Sequence, residues 1–347
     1  MGINLQPYFN EFHEKIKLID TEENAQLREK RDLLLEEIRV YLKKKSETGN
    51  KPLITFQAEN QGSYSMSTGI KPIGEYDYDI DVMLLFNISK DDYTPTEVKK
   101  WVLEALNKSQ RTLQYKKQCV RVQYHEKGDI AYHVDFACYA NSNPDKISYL
   151  SKGKPTSEPE EIKWEPAEPK ELKNKINNRF PDPDESKQFK KVIRFIKRWK
   201  DFKFQNTVDG KPIGIAITAL TYNGFVPCFD FDIFSSEKTP NDFLATKKFV
   251  QYFINQFDWL DEITVKLPVL PYNDLFEKMK KNQNQTKILK GKLVNLNDSL
   301  DEAEKETDPV EACKILQKEF GEDFPVPDKN DTGQKRAKAI ASSPDQA

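Results

Sequence analysis

The stretch QGSYSMSTGIKPIGEYDYDIDVMLLF, residues 61–86, decides the fold. It opens on Gly62-Ser63 and closes on Asp77, Asp79 and Asp81 at alternate positions, followed by an apolar run. Aspartate is a poor strand former, yet the alternation runs on into VMLLF and predicts a buried strand over Asp79–Phe86. Residues two apart on a strand share a face. Asp79 and Asp81 therefore stand side by side, while Ile80 and Val82 point to the core. Adjacent carboxylates repel unless something positive lies between them. A divalent cation meets that need, and Mg²⁺ takes oxygen ligands while keeping positions open for phosphates.

A third carboxylate interrupts a later alternating stretch, IAYHVDFACYA (130–140), at Asp135. If this strand pairs beside Asp79–Phe86, three carboxylates converge. That set suits a two-metal site, which activates an attacking hydroxyl and stabilises leaving pyrophosphate. Read singly, Asp77 is a turn former or solvated edge group, and Asp135 a solvent-facing strand residue. Asp79 and Asp81 are preferred to Asp77 and Asp79 because they enter the apolar run, where an unpartnered carboxylate is costly. Gly62 lets the backbone approach a phosphate closely, and the Ser63 hydroxyl with neighbouring N–H groups can donate to it. Each part alone is a weak signal; the combination in this order is specific.

The length allows one large two-lobed domain or two domains. The 347 residues are 37% hydrophobic and 32% charged, with a formal net charge of −2, which counts against a broad basic surface for duplex nucleic acid. Cys119, Cys138, Cys228 and Cys313 form no CxxC pair and, with His13, His125 and His133, give no zinc-finger spacing. They read as reduced thiols of a cytoplasmic protein. The opening MGINLQPYFNEFHEK has no apolar signal stretch, its sixth residue is Gln rather than Ser or Thr, and no run approaches a membrane span.

Periodicity predicts a helix from about Thr21 to Lys45, with Asp20 and Glu23 as a capping box and Leu27, Leu34, Ile38 and Leu42 on one face. A second helix follows in DDYTPTEVKKWVLEALNKS, with Val98, Trp101, Val102 and Leu106 inward. A hairpin of CVRVQYHE and IAYHVDFACYA turns at Lys127-Gly128-Asp129. Residues 141–185 read as a long Pro-, Lys- and Glu-rich connection with at most a short helix. Further helices are expected around Ser186–Phe202, Ile213–Asn223, Asp242–Phe257, Tyr272–Lys281, Lys287–Lys305 and Val310–Phe320. The last stretch, DKNDTGQKRAKAIASSPDQA, reads as a flexible tail. The layout is α+β, a strand-bearing N-terminal half and a helical C-terminal half with a cleft between two lobes.

Gly62-Ser63, Asp79-x-Asp81 and Asp135 resemble the polymerase-β-like nucleotidyltransferases. VIRFIKRWKDF (192–202) is similar to the spine helix of the oligoadenylate synthase and cyclic GMP-AMP synthase branch, with Lys197 at the place of the lysine that reaches the donor triphosphate. WEPAEPKEL (164–172) and KEFGEDFPV (318–326) resemble the bacterial cGAS/DncV-like nucleotidyltransferases, the CD-NTases of anti-phage CBASS operons. The resemblance implies two lobes, a mixed or antiparallel sheet in the first and helices in the second. The expected divisions are a catalytic lobe with its N-terminal helix (1–165), a helical lobe (166–328) and a tail (329–347). It further implies an enzyme that condenses NTPs, ATP or GTP foremost, into a cyclic di- or trinucleotide with two Mg²⁺ ions, for which Mn²⁺ can substitute. Asp79, Asp81 and Asp135 would bind metal, and Gly62, Ser63 and Lys197 would hold the triphosphate.

Without the resemblance, Lys197 is one solvated charge among Lys187, Lys190, Lys191, Arg194, Arg198, Lys200 and Lys203, though it lies off the face of Val192, Phe195, Ile196 and Trp199. Where many relatives carry a serine at the next helix start, Ile213 or Gly214 stands here. Backbone N–H groups, with Lys211, are the remaining anion donors. Tyr64, Tyr139 and Tyr222 are equal candidates to stack on a base. The resemblance also implies CBASS operon partners, among them an E1/E2-like or E2-like conjugation enzyme acting on Ala347 at the small-residue end. Two other readings stand: a template-independent polymerase of linear products that uses the same aspartates, and a non-catalytic interaction module, against which the three carboxylates count.

Overall fold

The structure is a computed structural model that describes residues 3–18, 22–50, 52–74, 78–108, 111–126, 129–207, 209–231 and 238–328; the described side chains further exclude 22–27, 78, 79, 125, 126, 129–132 and 283. Asp77, the Asp20 cap, the Lys127-Gly128 turn and the tail from 329 lie outside the described residues, as do the side chains of Leu27 and Asp79.

In chain order, α1 (Gln6–Ile16) and α2 (Glu22–Gly49) lead into β1 (Phe56–Asn60), the one-turn α3 (Gly62–Ser65) and β2 (Tyr78–Phe86). Then come α4 (Pro95–Leu106), β3 (Thr112–Tyr115), β4 (Val120–Glu126), β5 (Asp129–Ala140), β6 (Ser148–Ser151) and β7 (Trp164–Ala167). The remainder is α5 (Pro169–Asn177), α6 (Pro183–Lys203), α7 (Gly214–Gly224), β8 (Phe229–Phe231), β9 (Lys238–Pro240), α8 (Asp242–Ile254), α9 (Glu277–Lys280), α10 (Gln283–Lys305) and α11 (Pro309–Phe320).

Seven strands form one mixed sheet in the order β1-β2-β5-β4-β3, with β6 on the far end of β5 and β7 beyond it. Among the described strands only the β2–β5 pair is parallel. One face, built from Ile80, Val82, Leu84 and Phe86 of β2 and Val134, Phe136 and Cys138 of β5, packs on α2 and α4. The α4 helix follows its sequence closely. Thr94 caps it by accepting the Glu97 N–H at 3.3 Å, Pro95 starts it, and Val98, Trp101, Val102 and Leu106 are buried at helical spacing.

A second core joins α1, α6, α7, α8, α10 and α11. The spine helix α6 begins where Asp182 accepts the N–H groups of Asp184 and Glu185 at 2.9 and 3.0 Å. Its Phe195 stacks on Phe12 of α1 at 5.2 Å, and Phe9 meets it edge-on at 5.3 Å. Full burial of each such ring stabilises by roughly 1.5–3 kcal/mol, enough to hold α1 on the helical core. The α1 helix has no counterpart in the periodicity reading. The connection 141–185 holds the short helix α5 and, against expectation, the strands β6 and β7. The expected helix Tyr272–Lys281 shortens to Glu277–Lys280. Among the described residues no helix is long and apolar enough to cross a membrane.

Candidate active site

The parallel register of β2 and β5 sets Asp81 opposite Asp135 and Asp79 opposite His133. On the other side of β5, Arg121 of β4 lies opposite Asp135. Partners across a ladder share a face, and neighbouring strands run about 4.8 Å apart. Asp81, Asp135 and Arg121 therefore form one row across three strands, on the face away from α2 and α4. Asp135 is 7% exposed. Arg121 grips it bidentately, Nε donating to Oδ1 at 2.8 Å and Nη2 to Oδ2 at 2.7 Å. This guanidinium offsets one of the two like charges that the register brings together. Burial, and then the charge of Asp135, pushes the neighbouring Cys119 thiol upward.

Gly62 occupies the left-handed region, φ +68°, and a Cβ there would stand 2.0 Å from Asp81 Oδ2. The close approach that this glycine permits in the structure is to the Asp81 carboxylate itself. The Gln61 N–H donates to the Asp81 carbonyl at 2.9 Å, so the start of the Gly-Ser turn is tied to the strand that carries the aspartates.

The loop after Ser63 is held by the spine helix. Lys197 Nζ donates to the Thr68 carbonyl at 3.0 Å and to Thr68 Oγ1 at 3.2 Å, while the Thr68 N–H donates to the Ser63 carbonyl at 2.9 Å. Arg194 Nε donates to the Gly69 carbonyl at 3.2 Å, and Arg198 Nη2 to the Lys71 carbonyl at 2.7 Å. Residues at i, i+3 and i+4 share a helix face, so three cations of α6 clamp one loop. Lys197 and Arg198 are buried, as is Lys191, which corrects the picture of a uniformly solvated row of charges. Burial, then the charges of Lys200 and Arg194, draws the Lys197 ammonium down to about 7.

Gly62, Ser63, Asp81 and Lys197 line one cleft of about 720 Å³ between the sheet and the helical lobe. Ile213 and Gly214, at the N-terminus of α7, line it too, and Gly214 lies beside the Lys197 stem. Lys211 is instead 3.4 Å from Asp201. Of the three tyrosines, Tyr139 lines this cleft, its hydroxyl donating to Gln61 Oε1 at 3.0 Å. Tyr64 borders a neighbouring hollow, and the Tyr222 ring lies 5.2 Å from the Arg179 guanidinium.

The donor set fits hard divalent cations. Asp81 and Asp135 offer carboxylate oxygens in adjacent register, and an ionised carboxylate has about four lone-pair sites, of which a bidentate arginine uses two. Asp79 stands two residues before Asp81 on β2, and its side chain is outside the described ones. Among the described side chains, from which Asp79 is excluded, no group of three His, Cys, Asp or Glu converges. Arg121 escaped the sequence reading. Its signal was the alternation of Arg121 and Gln123 against Val120 and Val122, which assigns it a face but not its partner.

Comparison with known proteins points the same way. Residues 57–139 match the sequence profile described as the nucleotidyltransferase domain of the cyclic GMP-AMP synthase DncV-like family. A cyclic GMP-AMP synthase of Escherichia albertii is 27% identical over 169 residues, 46% of this chain and 35% of that relative's length. The aligned part thus spans about a third of the curated relative. In fold, the chain is similar to the crystal structure of Vibrio cholerae DncV cyclic AMP-GMP synthase, at a TM-score of 0.72 and 18% identity over 94% of this chain and 98% of that one. The 3′-deoxy ATP-bound form of DncV gives a TM-score of 0.74 and 19% identity over 93% and 97%.

Proposed function

We propose that the chain belongs to the bacterial cGAS/DncV-like nucleotidyltransferases, the CD-NTases, and that it condenses ATP, GTP or both into a cyclic di- or trinucleotide with release of pyrophosphate. The observation that carries the reading is the register of Asp81 beside Asp135, with Asp81 lining a cleft that Ser63 and Lys197 line as well. The volume lies within the range of small-ligand sites.

Asp79, Asp81 and Asp135 would hold two Mg²⁺ ions, with Mn²⁺ able to substitute. Bound there, such ions lower the pKa of the acceptor hydroxyl and stabilise charge on the departing pyrophosphate. Arg121 holds the Asp135 carboxylate in one orientation. Gly62 keeps the space beside Asp81 Oδ2 open. The Ser63 hydroxyl and the first N–H groups of α7 donate to the donor triphosphate. Lys197 exchanges its Thr68 partner for a phosphate oxygen, which favours its charged form. In each transfer a bond forms between the acceptor oxygen and the α-phosphorus, the α–β bridge breaks, and the hydroxyl proton is lost. A second transfer within the turned intermediate closes the ring.

The biological role proposed is anti-phage signalling in the cytoplasm, where NTPs abound, with CBASS operon proteins as partners. It rests on family membership and on the motifs at 164–172 and 318–326. Conjugation of Ala347 by an E1/E2-like or E2-like enzyme belongs to the same proposal, in a segment outside the described residues. Intact mass after incubation with the operon's proteins tests it: an adduct that is lost on deleting Ala347 supports it, and an unchanged mass opposes it. The synthase reading is tested by incubation with all four NTPs and Mg²⁺. A phosphatase-resistant product supports it, whereas only phosphatase-sensitive linear products would favour a polymerase.

A further inference from the structure

Beyond the carboxylate row, the same sheet face carries an ion pair. Tyr139 of β5 lies opposite Leu150 of β6, and Leu150 opposite Glu165 of β7. Lys152, two residues past Leu150, shares that face. Its Nζ stands 2.6 Å from Glu165 Oε2, with side-chain exposures of 18% and 15%. Both residues line the cleft that holds Asp81, Ser63 and Lys197. Glu165 Oε1 is also met by Asn273 Nδ2 from the helical lobe, at a long 3.5 Å.

The pair is not needed to join its strands. Four register positions link β6 to β7, and the Lys152 N–H donates to the Lys163 carbonyl at 2.9 Å. Placing two opposite charges on a half-buried wall lined also by Leu150, Ala167 and Leu270 costs desolvation that a surface pair avoids. From Asp135 the ladder runs about 13 Å along β5 and about 10 Å across two strands, or about 16 Å overall. The long Lys152 and Glu165 side chains close part of that span and leave room for one nucleoside between the pair and the carboxylate row.

We propose that Lys152 and Glu165 read the Watson–Crick edge of a base in the cleft and select guanine. The inference rests on the nucleotidyltransferase reading of the cleft and adds the base it chooses. Guanine presents the O6 acceptor beside two donors, N1–H and the N2 amino group. The Lys152 ammonium donates to O6, and the two Glu165 oxygens accept from N1 and N2. Adenine, cytosine and uracil each present a single donor position on this edge, so one Glu165 oxygen loses its water without gaining a partner. A site built to hydrogen-bond an N–H rejects the analogue that lacks it.

The test uses the full chain with Mg²⁺ and labelled ATP, offered GTP or ITP as the second nucleotide. Inosine keeps O6 and N1–H but lacks the N2 amino group. Incorporation of GTP should exceed that of ITP by about tenfold, the loss of one hydrogen bond. In Glu165→Gln the two should converge, and in Lys152→Met the preference for GTP over ATP should fall by about tenfold or more. Thermal melts of both variants separate base choice from folding. A wild-type chain that uses ITP as well as GTP, or a folded Glu165→Gln that keeps the wild-type ratio, overturns the proposal. Calorimetric binding of GTP and ITP separates this failure from that of the synthase reading. A Glu165-dependent preference for GTP in a chain that forms no product supports the base reading and overturns only the synthase. Equal binding in a productive chain overturns only the base reading.

Discussion

Gly62→Ala probes the tightest approach in the cleft. An alanine at φ +68° sits in the left-handed region at a cost of roughly 1–2 kcal/mol. Its Cβ would lie 2.0 Å from Asp81 Oδ2, 2.9 Å from Cγ and 3.1 Å from Cβ, where ordinary contact begins at 3.4 Å. The carboxylate oxygen must therefore retreat by about 1.4 Å, the difference of 3.4 and 2.0 Å. Rotation about the side chain does not remove the clash, because the Asp81 Cβ is itself too near. A misplacement of about 1 Å costs on the order of 100-fold in rate, equivalent to about 2.7 kcal/mol on the barrier. The expected outcome is a folded chain, weakened by about 1–2 kcal/mol in urea, whose pyrophosphate release at saturating NTP and Mg²⁺ falls about 100-fold. Turnover within threefold of wild type would refute the reasoning, since the Asp81 carboxylate would then tolerate a displacement that the mechanism forbids.

Arg121→Met leaves Asp135 without its bidentate partner; it should lower stability in EDTA by up to about 3 kcal/mol, less than for a fully buried pair because the arginine side chain keeps 24% of its surface. Added Mg²⁺ should restore more of the melting temperature in this variant than in the wild type, and equal rescue of both would count against a metal at these carboxylates. Lys197, lowered to about 7 by burial, lacks in the folded chain a proton that the unfolded chain holds between pH 7 and its ordinary 10.5. Its contribution to stability therefore rises with pH through that window, and Lys197→Met should remove this part of the slope. A triphosphate at Nζ restores the ammonium, so calorimetry in buffers of different ionisation enthalpy at pH 8 should show uptake approaching one proton on NTP binding, absent in Lys197→Met. Asp242 is fully buried against Lys191 at 2.6 Å; Asp242→Ala should destabilise by about 3–5 kcal/mol in denaturant melts, and a loss below 1 kcal/mol would show that the pair is dispensable to the docking of α8 on α6.

What the sequence made legible was local. The buried face of α4 and the alternation of β2 and β5 are patterns of period 3.6 and 2 that survive folding unchanged, because each element meets the core with the face its spacing dictates. Non-local pairing was the harder part. Nothing in VMLLF or HVDFACYA states that Asp81 falls opposite Asp135, a register set by how β2 and β5 pack together on α2 and α4. The strands SYLS and WEPA are short and half polar, and form because β5 outruns β4 and offers its last residues as an edge. Lys152 and Glu165 were hidden with them. Among the α6 cations, charge alone cannot say which side chains reach solvent. Arg194, Lys197 and Arg198 turn inward because the 67–71 loop presents carbonyls there. Asp79 and Asp81 were singled out by their place at the mouth of an apolar run. For Asp81 the structure adds the reason that glycine precedes Ser63.

The central claim is that the aspartates of β2 and β5 form a metal-dependent nucleotidyl-transfer centre that closes a ring. Purified wild-type chain and Asp81→Asn, matched by thermal melt, are incubated with ATP, GTP and Mg²⁺, treated with phosphatase and read by mass spectrometry. A phosphatase-resistant cyclic product is expected from the wild type and none from Asp81→Asn. Cyclic product from a folded Asp81→Asn at a wild-type rate would contradict the claim.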